Sequence, residues 1–417
     1  MLEDPGAPPR GQPPRGDPAR LTPDRWPGVL PRQVKLFGWV SLLNDFASEM
    51  INPLLPAFVT GVLGGGAAAL GALDGAAEFA AAFVKFGAGR LADRVKRRGP
   101  LIVAGYAIAV LVRPVIAATA AAWQVIALRV VDRIGKGLRT PPRDALIADI
   151  APAELRGRAF GLQRGMDHAG AVLGPLLAWW LLTMHVAELR TVIAASIVPG
   201  VLVLALAAWA VRGGGGRGRT GRDEAGTSSP SPSSPVVPRL PPSLLAIAFF
   251  YLVRVPETLV ILRSQQLGVA VATVPLLWAA VHVVKSSTSF VGGAWTDRLG
   301  AGRTMWIGWL CYAALAVGLG LARTEGQAWL LFLALGSVAG LTESPERALV
   351  ARLAGSHQGS GFGSYHGVTG LAALLGGVAL GVLYQGRGAG VAFAVSAAGA
   401  AALVLAWPLT ARETAPR

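Results

Sequence analysis

The chain of 417 residues holds one cysteine, Cys311. A lone thiol excludes an internal disulfide framework and any cysteine metal cluster. Charge is also scarce, at 15% of residues against about 25% in an average soluble protein. HExxH, GxSxG and CxxC do not occur. The sequence therefore gives no positive sign of catalysis, and neither an enzyme activity nor a cofactor or metal is expected. Gly135-Lys136 imitates a phosphate loop, but Val130 stands where the first glycine belongs and Gly137 where Ser or Thr belongs. That departure rejects nucleotide binding there. Residues 1–31 are rich in Pro, Gly and Arg and lack the apolar core of a cleavable leader, so they read as a disordered cytoplasmic tail. Lysine appears five times, beside abundant Ala, Gly and Arg, which points to a GC-rich bacterial genome.

Apolar residues fill what charge leaves, at 53% of the chain. Apolar runs near the ~20 residues needed to cross a bilayer recur from about 33 to 411. The reading is an all-α polytopic membrane protein. Its twelve spans cover roughly 33–62, 67–89, 100–119, 121–147, 158–184, 189–211, 242–266, 272–294, 303–322, 326–351, 360–384 and 389–411. Residues 32–211 and 242–411 then form two six-helix bundles. Residues 212–241 form a flexible, proline-ended cytoplasmic linker, and 412–417 a short cytoplasmic tail. The formal charge of +15 resembles a nucleic-acid signal. Its placement argues otherwise, because the basic residues sit in alternate loops, as membrane topology requires. No nucleic-acid partner is expected. Both termini are expected in the cytoplasm, in the cell inner (plasma) membrane.

The second half repeats the first. Gly137-Leu138, Pro142 and Ala145–Ala148 return as Gly340-Leu341, Pro345 and Ala348–Ala351, at an offset of 203. Gly157, Phe160-Gly161, Gly165 and Gly174 return as Gly359, Phe362-Gly363, Gly367 and Gly376, at an offset of 202. The charges do not repeat: Arg143-Asp144 becomes Glu346-Arg347. One backbone plan with two charge patterns marks a duplicated scaffold in which one half has specialised.

A second repeated feature closes spans 2 and 8. Gly89-Arg90-Leu91-Ala92-Asp93-Arg94 leads to Arg97 and Arg98, and Gly293-Ala294-Trp295-Thr296-Asp297-Arg298 follows at an offset of 204. Small residues let helices approach closely, and the aspartate can accept from an arginine or a helix N-terminus. With this motif the chain resembles the major facilitator superfamily over residues 33–411. Lys96 stands at the family's usual glycine, and Trp295 at its leucine in the second copy. The resemblance implies two pseudo-symmetric bundles around one midplane site that opens alternately to each side. It also implies a gating role for Gly89, Asp93, Arg94, Arg97, Arg98, Gly293, Asp297 and Arg298. The family's fourth-helix arginine falls on Arg129, followed here by Asp132-Arg133. Its antiporter-associated fifth-helix run is matched by Gly170-x3-Gly174-Pro175 and departs at Ala178-Trp179; Gly170, Gly174 and Pro175 join the gating residues, with Gly174-Pro175 also a candidate packing bend.

The span from 129 onward is unusually charged. Asp132, Lys136, Arg139 and Arg143 recur at helical spacing, with Arg129, Arg133 and Lys136 on an adjoining stripe. Pro141-Pro142 is a candidate end for that helix. Charges at such depth are costly unless they pair or face water. Asp45 with Glu49, and Asp74 with Glu78, each share a face at i,i+4. Asp167 lies between Arg164 and His168. The second half offers Arg254, Glu257, His282, Lys285, Glu343, Glu346 and His366. These residues are expected either to form structural ion pairs or to line a wet, ionisable cavity for proton coupling and substrate. The function expected is secondary transport of a small molecule by a monomer, with membrane lipid around it and protons as coupling ion. Export by antiport of a drug-like or anionic, amphiphilic compound ranks first. An importer or facilitator of the same fold, a lipid flippase, and a membrane enzyme or receptor are the rivals.

Overall fold

The computed structural model describes residues 30–94, 98–150, 156–213, 241–354 and 358–410. Residues 1–29 of the first tail, 214–240 of the linker, the last tail and Arg97 therefore lie outside the described residues. Twelve helical passes run through the rest. Span 1 is Arg32–Glu49, continued by short turns over Asn52–Leu54, Leu55–Ala57 and Phe58–Val62. Spans 2 to 5 are Ala67–Arg94, Gly99–Val115, Ala122–Ile150 and Arg156–Thr183. Span 6 joins Leu189–Ala195 to Ile197–Gly213, and span 7 joins Pro242–Val253 to Glu257–Gln266. Spans 8 to 12 are Val274–Leu299, Ala301–Leu321, Glu325–Ala354, Gln358–Arg387 and Ala389–Thr410.

Eight of these passes are long and apolar enough to cross a bilayer by length and composition alone. The other four are spans 1, 4, 5 and 8. They carry most of the ionisable residues discussed below, which lowers their mean hydropathy. Large apolar side chains such as Phe83, Leu321, Leu330 and Leu405 point outward, as a lipid-facing surface requires.

The structure adds a detail to two expected spans and corrects one expectation. Spans 1 and 7 are not single continuous helices. Each breaks near its middle, at Asn52-Pro53 and at Val255-Pro256, where proline removes a backbone donor. The opposite holds for Pro141 and Pro142. Span 4 continues through both to Ile150, so neither ends it.

Close backbone approach sets the packing. A side chain on Gly71 of span 2 would collide with the carbonyl of Gly377 on span 11, and Gly75 faces Leu374 in the same way. Gly170 and Gly174 of span 5 lie against the carbonyls of Leu42 and Phe46 on span 1. Small residues at such seams let helices meet without a hydrophobic driving force. Gly300 is the single residue between spans 8 and 9, at φ +85°, a backbone conformation glycine adopts without steric cost.

The apolar cores show how the bundles sit. On the side away from the termini one core is shared. It joins Phe58, Leu70 and Val125 of the first bundle to Leu259, Leu277 and Tyr384 of the second. On the terminus side each bundle keeps its own. Phe37, Tyr106 and Ile147 belong to one, and Phe250, Trp309 and Leu403 to the other. Among the described residues the halves are therefore sealed together at one face and separately packed at the other.

Candidate functional site

A cavity of about 440 Å³ lies between the bundles. Span 4 contributes Arg129, Arg133 and Lys136, and span 2 contributes Asp74 and Glu78. The broken span 7 supplies Tyr251, Arg254, Glu257 and Thr258, with Trp278 and Lys285 from span 8 and Glu343 from span 10. The break in span 7 places Glu257 and Thr258 at the start of its second helical piece, facing the first bundle.

The C-terminal wall is internally paired. Glu257 Oε1 lies 2.5 Å from Lys285 Nζ and 3.5 Å from Arg254 Nη2. Lys285 also sits over the Trp278 ring at 5.6 Å. Glu343 is half-exposed, 4.0 Å from Arg347. Behind this wall Glu346 is 1% exposed. Its Oε2 accepts from the Tyr365 hydroxyl at 2.9 Å and the Tyr251 hydroxyl at 3.3 Å. His366 lies beside Tyr365, with ring centroids 4.9 Å apart and the planes tilted at 58°.

The N-terminal wall is different. Asp132 does not line the cavity. It turns to span 3, where its Oδ1 accepts from Arg113 Nε at 3.0 Å. Arg113 also donates to the Asn44 carbonyl at 3.2 Å and to Asn44 Oδ1 at 3.3 Å. Arg139 joins this buried group through Asn44 Oδ1 and the Gly105 carbonyl, both at 3.2 Å, and lies over Tyr106. Arg139 is 2% exposed, so it is not at a water-facing helix edge. The single stripe expected from 132 to 143 thus divides between a buried network and the cavity. Arg129 lies 3.5 Å from Asp132 Oδ2, but that oxygen and Arg129 Nε have no hydrogen-bond partner. Arg133 Nε is likewise buried and unpartnered.

Two carboxylates of the first bundle tie it to the second. Asp74 Oδ2 accepts from the Thr258 hydroxyl at 2.8 Å and the Thr258 N–H at 3.1 Å. Glu49 Oε2 accepts from Trp278 Nε1 at 3.0 Å and lies 3.9 Å from His282 Nε2, while Asn52 donates to its other oxygen at 2.8 Å. Asp74 and Trp278 are separated by 204 residues, the offset of the Gly-x3-Asp-Arg repeat. One residue of each link therefore sits at a matching place in its bundle.

The remaining candidates fall elsewhere. Asp45 accepts from Asn44 Nδ2 at 2.9 Å. Asp167 accepts from Gln163 at 2.6 Å and lies 4.0 Å from the exposed Arg164. Gln163 also bonds Ser41, which Arg143 reaches at 3.4 Å. These residues form a second polar group between spans 1 and 5. Gly89, Asp93 and Arg94 fall at the end of span 2, and Gly293 and Asp297 near the end of span 8, with side chains outside the description. Arg298 is exposed. Arg98 meets Asp149 of span 4 at 2.5 Å. Gly170 and Gly174 hold span 5 on span 1, and Pro175 lies inside an unbroken helix.

Several residues of this site escaped sequence reasoning. Asn44, Asn52, Thr258, Trp278 and Tyr251 carry no charge and no motif. Arg113 had a signal, a single charge inside the apolar run of span 3.

The comparisons with known proteins agree with this architecture. The chain is 28% identical over 362 residues to an uncharacterized MFS-type transporter of Methanocaldococcus jannaschii, covering 83% of this chain and 86% of that one. It is 32% identical over 142 residues to the multidrug resistance protein MdtH of Photorhabdus laumondii, 34% of this chain and 35% of that one. A bacterial homologue of the human lysosomal transporter Spinster, solved inward-facing and unoccupied, superposes with a TM-score of 0.64 at 16% identity. It covers 91% of this chain and 95% of that one, which shows a shared fold. The Major Facilitator Superfamily model matches residues 37–263, more than half of the chain. Two six-helix bundles around a charged central cavity, and a family match of that extent, establish that the chain belongs to the major facilitator superfamily, as a multi-pass membrane transporter of small molecules.

Proposed function

We propose that this transporter exports a small amphiphilic molecule, drug-like or anionic, in exchange for protons. It works as a monomer in the cell inner membrane with both termini in the cytoplasm. The observation that carries the reading is the pair of carboxylate links between bundles. Asp74 and Glu49 hold the side away from the termini closed while the cavity lies beneath them. A carboxylate accepts more strongly when ionised, so a proton on either residue weakens its link. Proton binding and bundle separation are then one event, which is the coupling that alternating access needs.

Export is favoured by the partial Gly170-x3-Gly174-Pro175 match and by the partial likeness to the multidrug resistance protein MdtH. The side of the seal agrees with loading from the cytoplasm. A substrate panel in proteoliposomes with an imposed pH gradient tests the reading. Substrate movement opposite to the proton gradient is the expected result. Movement with the protons, or independent of them, would overturn it.

A further inference from the structure

We infer that the span 4 wall of the cavity is an oxyanion subsite, where Arg129, Arg133 and Lys136 receive the carboxylate or phosphate of an organic substrate. The inference deepens the transport reading above and rests on it. The three residues are spaced i, i+4 and i+7 on one helix, so they share one face, and all three line the cavity. Among the described residues none of their side chains donates a hydrogen bond. The one ion contact is Arg129 Nη1 to Asp132 Oδ2 at 3.5 Å, too long for a hydrogen bond in this geometry, while the other oxygen of that carboxylate accepts from Arg113 at 3.0 Å.

Arg129 is 5% exposed, and its Nε and that of Arg133 are buried without partners. Buried donors on a charged group left unmade carry a large desolvation cost. An arginine offers five N–H donors in a planar fork that matches two oxygens of one anion. Across the cavity Lys285 donates to Glu257 at 2.5 Å, and Arg254, 3.5 Å from the same carboxylate, has no side-chain nitrogen among the buried donors left without a partner. Glu78 lines the same space and has no hydrogen bond or ion pair of its own among the described residues. A bound anion therefore shares the field of these cations with Glu78. Trp278 and Tyr251 also line the cavity, giving an aromatic body a surface beside the charged group.

The test is binding, measured apart from transport. Full-length protein in detergent is heated with benzoate, phenyl phosphate or neutral benzamide at millimolar concentration, and the melting shift is read. Benzoate or phenyl phosphate should raise the melting temperature, the larger shift naming the preferred anion, and benzamide should not. R133Q and K136Q should each weaken the anion by about tenfold, the loss of one charge-assisted contact. R323Q, in an exposed loop, should keep it, and E78Q should tighten it. Equal stabilisation by benzamide, no response to either anion, or full anion binding by the R133Q/K136Q pair would overturn the subsite. Melting without probe reports whether the pair folds; if it does not, undiminished binding by K136Q alone overturns it. Anion binding together with failed proton exchange would instead remove the export reading and leave the subsite standing.

Discussion

On the span 7 and span 8 side of the cavity, Glu257 sits 2.5 Å from Lys285 and 3.5 Å from Arg254. On the span 4 side, the side chains of Arg129, Arg133 and Lys136 give no hydrogen bond to any described residue. Both walls carry arginine and lysine, yet on one a carboxylate lies within ion-pair distance of both cations, and on the other two guanidinium Nε donors are buried without partners. Counting charges along the chain would have ranked them alike. The difference lies in where the acid falls. Span 7 breaks at Pro256, so Glu257 begins a new helical piece turned toward Lys285. Asp132 lies within the unbroken span 4 and is turned outward to Arg113 on span 3.

Substitutions can break this contrast, and the largest effect is expected behind the N-terminal wall. Asp132→Asn leaves the buried Arg113 without its anion, which costs about 3–5 kcal/mol for a buried pair. Thermal unfolding should show it, and native stability would contradict the network. Next comes Glu257→Gln, which would free Lys285 and Arg254 and make the second wall resemble the first. The loss should be about 1–2 kcal/mol, because the pair is partly exposed, at 21% and 28%. Organic anions should then bind that wall too, and unchanged anion binding would show that pairing is not what separates the walls.

Asp74→Asn should cost about 1 kcal/mol through a weaker acceptor for Thr258. Its main effect should be an altered pH profile of transport, and an unaltered one would remove Asp74 from proton coupling. The smallest loss of stability belongs to Arg133→Gln, which gives up no internal bond and removes a charge with a buried unpartnered donor, so stability should hold or rise. Transport should nonetheless fall sharply. A large drop in melting temperature with normal transport would assign Arg133 to the scaffold.

Much of the fold was legible because membrane physics leaves few options. Apolar runs of bilayer length have to be helices, and the repeat from Gly137 to Gly340 exposed the duplication. The site was legible only in part. Arg129, Arg133, Lys136, Asp74 and Glu78 share helical faces that the sequence displays, and they do line one cavity. Asp132 and Arg139 lie on nearly the same face of span 4, yet contacts with Asn44 and Arg113 from other spans bury them. Asp45 and Glu49 share a face as well, but only Glu49 reaches the second bundle.

Composition and spacing determined that this protein is a doubled helical bundle in lipid, because backbone groups in a bilayer must bond within their own helix. Tertiary structure alone decided which charges are quenched and which stay open. That depends on a few ångströms between side chains from spans far apart in the chain. In a poorly screening interior, such distances separate a paired ion from one that needs a ligand.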